Sequence, residues 1–296
     1  MNKGVLAGVA AYLFWGFFPI YLKALQVVPS LQIMLHRMVW SFLLVMLLIF
    51  LRREWPQLKS SISSPKVLLS YSLTAVLLAS NWLIYIYGVN SGQVIETSLG
   101  YFINPLLNVA LGVIILRERL RPMQWFPVGL AALGVLYLTL QYGSVPWLAL
   151  ALAFTFGMYG LIKKIAPLGS LHGLSLETGI LFIPATIYLF YLEQQGSGAF
   201  GHEGITLTFL LVFAGAVTTL PLLMFGYAAR TIPLSLLGIL QYIAPIFQFL
   251  LGIYLYQEPF TPTRLVGFGF IWLALLVFTL EGFYSRRKRI ATASVA

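Results

Sequence analysis

The chain of 296 residues has no cysteine and no aspartate, and all eight of its acidic residues are glutamate. Without cysteine there is no disulfide, no thiolate metal site and no thiol nucleophile. Its three histidines and eight glutamates nowhere stand at a ligand spacing such as H-x-x-x-H, so no metal is expected. No G-x-x-x-x-G-K-[ST] loop occurs, so no nucleotide drives the protein directly. There is no G-x-S-x-G elbow, and the only histidine in a long apolar run is His36, which leaves an intramembrane enzyme without a catalytic set. No cofactor is expected. Charge is scarce too: 9% of residues are charged, against about a quarter in a soluble domain.

What fills the chain is apolar. Sixty per cent of residues are hydrophobic and the mean hydropathy is +0.91. That leaves too little polar surface to cover a water-soluble globule. A soluble enzyme, a disordered chain and a secreted disulfide scaffold are excluded. A helix crossing the hydrocarbon needs about 20 mostly apolar residues. Runs of that kind fall at 4–23, 31–51, 67–89, 94–116, 123–141, 145–162, 174–192, 206–228, 234–256 and 265–284. The first reads as a retained helix. Its apolar run extends to Leu22, and bulky Phe14, Trp15, Phe17 and Phe18 stand where a small-residue cleavage site would follow.

Lys and Arg set the expected orientation. With the N-terminus inside, fifteen basic residues fall in inner segments and two, Lys23 and Arg264, in outer ones. Arg37 lies within a span. Both termini are therefore expected in the cytoplasm. The formal charge of +10 follows from this scatter over the inner loops, which argues against a nucleic-acid partner. The basic cluster 286–289 reads as a stop-anchor next to the bilayer.

Residues 99–140 align with 239–280 at a constant offset of 140, without a gap. The framework P-x6-G-x5-E-x3-P-x6-G occurs at Pro105, Gly112, Glu118, Pro122 and Gly129, and again at Pro245, Gly252, Glu258, Pro262 and Gly269. The starts of the two halves align more weakly at offset 141. Gly16 then meets Gly157, Phe18 meets Tyr159, Lys23 meets Lys164, and His36 falls opposite Glu177. Five spans is an odd number, so two such halves must insert with opposite orientation. The reading is an all-α integral membrane protein: ten transmembrane helices as two inverted five-helix repeats. The repeats cover 1–143 and 144–284, followed by a basic cytoplasmic tail, 285–296. Inverted repeats around a midplane site are the construction of many secondary transporters.

Particular strings carry a family resemblance: His36-Arg37 with Trp40-Ser41, Asn81-Trp82 with Tyr85, SLGYFINPL at 98–106 and GILQYIAP at 238–245. With the double repeat, the chain resembles the EamA group of the drug/metabolite transporter superfamily, and within it the RarD-like subfamily. The resemblance spans residues 4–284. It implies a bacterial inner-membrane permease of ten helices, in a group that contains exporters of amino acids and other metabolites.

Polar side chains inside the spans are the candidate site, because each is costly in hydrocarbon. His36 and Arg37 sit about 6 residues, roughly 9 Å, from the outer end of the second span. Arg37 either lines the bundle interior, where its planar fork suits a carboxylate or phosphate, or snorkels outward. His36 titrates near neutrality and is a candidate proton carrier or a structural hydrogen-bonder. In the fourth span Thr97, Tyr101, Asn104, Asn108 and Gly112 recur at helical spacing as one stripe. Gln241, Pro245, Gln248 and Gly252 repeat it in the ninth. The two stripes read as cavity walls, with tight helix packing as the alternative. Asn81, Trp82 and Tyr85 of the third span are further wall candidates. Trp15 and Tyr159 lie far from the interfaces and suit either packing or substrate contact. Glu96 and Glu177 join His36 as proton-coupling candidates, or serve as interfacial acids. Glu118 and Glu258 read as turn and capping residues ahead of Pro122 and Pro262.

The functional expectation is a secondary transporter for a small molecule, embedded in the lipid bilayer. A passive facilitator, pore or lipid flippase without ion coupling is the alternative.

Overall fold

The computed structural model describes residues 2–62, 64–90, 94–255 and 262–293, and within them the chain is helical with no strand. The helices are α1 (Lys3–Ala24), α2 (Ser30–Leu51), α3 (Trp55–Ile62), α4 (Pro65–Asn90), α5 (Val94–Ile114), α6 (Pro122–Tyr142), α7 (Trp147–Ile165), α8 (Ser170–Gln194), α9 (Ile205–Thr231), α10 (Leu234–Gln241), α11 (Ile243–Tyr254) and α12 (Pro262–Ala293). Their ends follow local chemistry. Pro122 opens α6, where its missing N–H is no loss, and the Arg121 N–H donates to Gln124 Oε1 at 2.9 Å. Gly143, at φ +82°, closes the same helix in the left-handed conformation that glycine adopts freely.

Among the described residues, eight helices are long and apolar enough to cross a membrane. The fourth and ninth runs contribute shorter apolar stretches, Leu99–Ile114 and Leu234–Gln248. These two runs carry the polar stripes. The ninth run is moreover two helices, α10 and α11, meeting at Tyr242. Pro245 has no N–H to give the Gln241 carbonyl, and it stands in the first turn of α11, where that missing donor is no loss. Two other expectations shift. The 52–66 connection contains α3, and α12 continues to Ala293, past the expected end of the last span.

Packing pairs the two halves of the chain. α5 packs on α7, and α1 on both α10 and α11; α4 packs on α7, and α1 on α9; α4 packs on α8, and α2 on α9. Exchange of the halves turns the first member of each pair into the second. α2–α8, α5–α10 and α6–α12 map onto themselves. One detail repeats at the atomic level. A Cβ on Gly16 would stand 2.7 Å from Phe247 Cβ, and a Cβ on Gly157 would stand 2.9 Å from Leu107 Cδ2. The glycines are related by offset 141 and their neighbours by 140.

The main apolar core gathers Tyr12, Tyr71, Tyr159, Leu174, Phe225 and Leu234. A smaller cluster ties α6 to α12 through Val135 and Ile271. The outside is apolar as well: Phe50, Leu69, Ile114, Phe190 and Ile205 are all exposed. Such a surface is stable only against lipid or another apolar phase.

Candidate functional site

A cavity of about 260 Å³ lies between α1, α2, α4, α5, α7, α9, α10 and α11. Its wall takes α1 from Tyr12 to Leu22, α4 from Leu78 to Tyr85, α5 from Gly100 to Asn104, and the α10–α11 junction from Gln241 to Gln248. The break in the ninth run, with Pro245 in the first turn after it, thus forms part of the cavity wall. α5 approaches α10 closely where Gly238 has no side chain. A Cβ on Gly238 would lie 2.6 Å from the Pro105 carbonyl oxygen.

The two polar stripes meet at the wall. Asn104 Nδ2 donates to the Ala153 carbonyl at 2.9 Å. Behind it, Asn108 Nδ2 donates to Asn104 Oδ1 at 3.1 Å and to Gln241 Oε1 at 2.9 Å. Gln248 Nε2 donates to the Trp15 carbonyl at 3.0 Å. Thus each half sends an amide from its stripe to a backbone carbonyl of the other half's first helix. On α4, Asn81 Nδ2 donates to the Leu152 carbonyl and to Thr155 Oγ1, both at 2.9 Å. The amides bond one another and the backbone, which holds a polar surface in an otherwise apolar bundle; among the described residues only the buried Asn108 Oδ1 of this chain of amides is left without a partner.

Among the described residues Arg37 is the one charged side chain of the wall. Its Nε donates to Thr218 Oγ1 at 2.9 Å. Its guanidinium lies 4.9 Å from the Phe18 ring centroid and 4.4 Å from that of Trp82, within cation–π range. Aromatic rings continue around the space. Tyr85 meets Tyr101 edge-on at 5.9 Å, and Trp15 meets Phe156 edge-on at 5.8 Å.

Of the site residues expected from sequence, Trp15, Arg37, Asn81, Trp82, Tyr85, Tyr101, Asn104, Gln241 and Gln248 line this cavity. Three stand elsewhere. Asn108 is fully buried behind the wall, in the amide chain. His36 stacks on Phe200 at 5.3 Å and faces away from the cavity. Tyr159 stacks on Phe225 at 5.9 Å in the core and donates its hydroxyl to Glu177 Oε2 at 3.3 Å. Glu177 is no interfacial acid: it is fully buried, and Lys163 Nζ lies 3.0 Å from its Oε1. The side chain of Glu96, all of Glu258 and the side chains of 286–289 fall outside the described residues.

The wall also holds Tyr12, Phe18 and Phe156, and Thr218 steadies Arg37. Two of these had a visible signal. Phe156 is the repeat counterpart of Trp15 at offset 141, and Thr218-Thr219 is a polar pair in the middle of an apolar run.

At the end of the bundle where α1 starts, a set of polar contacts and one tight glycine contact join the two halves. Glu118 accepts from the backbone N–H of Leu234 at 2.6 Å and of Ser235 at 2.9 Å, and from Ser235 Oγ at 2.7 Å. It caps the α10 N-terminus, in the other half of the chain from its own turn. Lys164 Nζ donates to the Ile232 carbonyl at 2.6 Å and lies 3.8 Å from Glu118. Gly4 packs on Thr231, and the Tyr71 hydroxyl bonds the backbone of Leu168.

Comparison with known proteins gives consistent matches. The model of the EamA-like transporter family matches residues 2–140. An uncharacterized transporter of Vibrio cholerae is 46% identical over 281 residues, 95% of this chain and 93% of its own length. The protein RarD of Escherichia coli is 43% identical over 287 residues, 97% of each chain. A crystal structure sharing 17% identity superposes on 94% of this chain and 98% of its own, with a TM-score of 0.69. At that identity the likeness is one of fold alone.

Proposed function

Because the chain belongs to the EamA-like transporter family, in its RarD-like group, we propose that it is a secondary transporter. It is a permease or exporter that moves a small metabolite or drug-like molecule across the bacterial inner membrane by alternating access. Its ten spans form two inverted five-helix repeats, and both termini are cytoplasmic. It is not an enzyme and uses no nucleotide.

The observation that carries the reading is the exchange relation of the helix contacts around the cavity. If two halves pack on each other through interchangeable surfaces, the arrangement in which they swap roles is a second state of similar energy. In that state the closed end and the open end trade places, and a midplane site changes sides. On this reading the contacts of Glu118, Lys164 and Gly4 with the other half are the gate that closes the cavity at the α1-start end. With the proposed topology, this is the cytoplasmic side.

No histidine or glutamate lines the described wall. A proton-coupled cycle therefore has to act through His36 or Glu177 behind it, or through Glu96. The reading is tested with purified protein in liposomes, after the transported solute is found by comparing metabolites lost from overexpressing and deleted cells. An alternating-access carrier shows accelerated uptake of labelled solute when unlabelled solute is trapped inside. Uptake indifferent to the trapped solute makes the protein a passive pore.

A further inference from the structure

This inference rests on the transport reading above and names the class of the cargo. The charge of the cavity wall is one-sided. Among the described residues Arg37 is its only charged group, and no Glu lines it. The described ion pairs leave Arg37 without a carboxylate partner. A guanidinium without a counter-ion in a mostly apolar wall is expensive, and the rings of Phe18 and Trp82 offset only part of that cost. Thr218 takes the Nε–H, which fixes the plane of the fork and leaves both Nη groups for a ligand. Two parallel N–H donors match one carboxylate.

The same inventory limits what else the ligand carries. A doubly charged phosphate would bring a second charge that nothing on the wall neutralises. A zwitterion would set its ammonium in a wall with one cation and no anion. The rest of the lining consists of rings and amides. Trp15, Phe18 and Phe156 offer ring faces, and Tyr12 adds a ring whose buried hydroxyl has no partner among the described residues. The volume of about 260 Å³ lies just under the range of about 300–1,000 Å³ used by drug-sized ligands, which suits a small solute.

We propose that the cavity binds a small organic monocarboxylate with an apolar, ring-bearing body, gripped by a bidentate contact from Arg37, and that solutes of this class are the cargo. Since a fatty acid shares the carboxylate, its chain length separates a lipid source from a small solute.

The test is a titration of the purified full-length protein, followed by the fluorescence of Trp15 and Trp82. The probes are 3-phenylpropionate, its amide, phenylalanine, phenyl phosphate and palmitate. 3-Phenylpropionate should bind about tenfold or more tightly than the other four, as expected when one charge-assisted pair is gained. Arg37→Gln should erase its advantage over the amide while the amide still binds, which also reports an intact cavity. Arg37→Lys, a charge without a fork, should keep part of the advantage. Thr218→Val, which frees the fork, should weaken acid binding and leave the amide unchanged. Equal binding of acid and amide, an advantage that survives Arg37→Gln, tighter binding of palmitate, or no binding by any probe overturns the proposal. Counterflow of 3-phenylpropionate keeps the two readings apart. Acid selectivity without counterflow sinks the transport reading, and counterflow of the native solute without acid selectivity sinks only the cargo class.

Discussion

Lys163 and Glu177 meet in the core with almost no exposure, and Tyr159 donates a further hydrogen bond to the carboxylate. A buried pair of this kind adds little net stability, because both ions are desolvated to form it, but losing one partner strands the other. Glu177→Gln is therefore expected to destabilise the protein by about 3–5 kcal/mol, while Lys163→Met with Glu177→Leu together recovers most of that loss. Unfolding in detergent, followed by circular dichroism, measures both. A double variant as unstable as the single one would mean that the pair serves more than its own neutralisation. The residue scale was only partly legible in the sequence. Arg37 and the amides announce themselves because polar groups are rare in the spans. Their helical spacing also tells which face they share. What spacing cannot tell is which neighbour that face meets. Asn108 stands on the same stripe as Asn104, yet Gln241 of another helix covers it. Glu177 looked like an interfacial acid because Lys163, fourteen positions away on the preceding helix, is invisible as a partner in the linear chain.

At the scale of elements, the glycine contacts are what let the first helix of each half approach the polar-stripe helix of the other. Gly157 has no room for a methyl group against Leu107, and Gly16 has none against Phe247. Gly157→Ala is expected to cost about 1–3 kcal/mol through overpacking, and Leu107→Ala in the same chain should restore most of it by vacating the Cδ2 position. The Gly16→Ala counterpart meets a Cβ, so only Phe247→Gly relieves it. Melting temperatures of the single and double variants decide this. If Leu107→Ala fails to rescue Gly157→Ala, then the contact does not control the helix approach. Most long helices were readable from apolar length alone. The break between α10 and α11 was not, although Pro245 stood in plain view, because Pro105 occupies the matching position and α5 runs through it unbroken. A proline states which hydrogen bond is missing. The neighbours determine whether the chain bends, kinks or starts again.

For the whole molecule, the repeat was the most informative sequence feature, because it relates helices far apart in the chain and so predicts contacts that no local pattern contains. The central claim is that one cavity is reached from the two sides of the membrane in turn, with the α1-start end closed in the state described. The absence of native cysteine makes the direct measurement clean. Asn104→Cys places a thiol in the wall, and Gly4→Cys with Thr231→Cys places a pair where α1 and α9, from different halves, touch at the closed end. A membrane-impermeant thiol reagent is applied in right-side-out and inverted vesicles, before and after the pair is oxidised with the wall cysteine protected by a reversible blocking group that is then removed under non-reducing conditions. Alternating access predicts that the wall cysteine reacts from both sides before oxidation and from the periplasmic side alone afterwards. Reaction from both sides after the lock, or from one side only before it, would contradict the account.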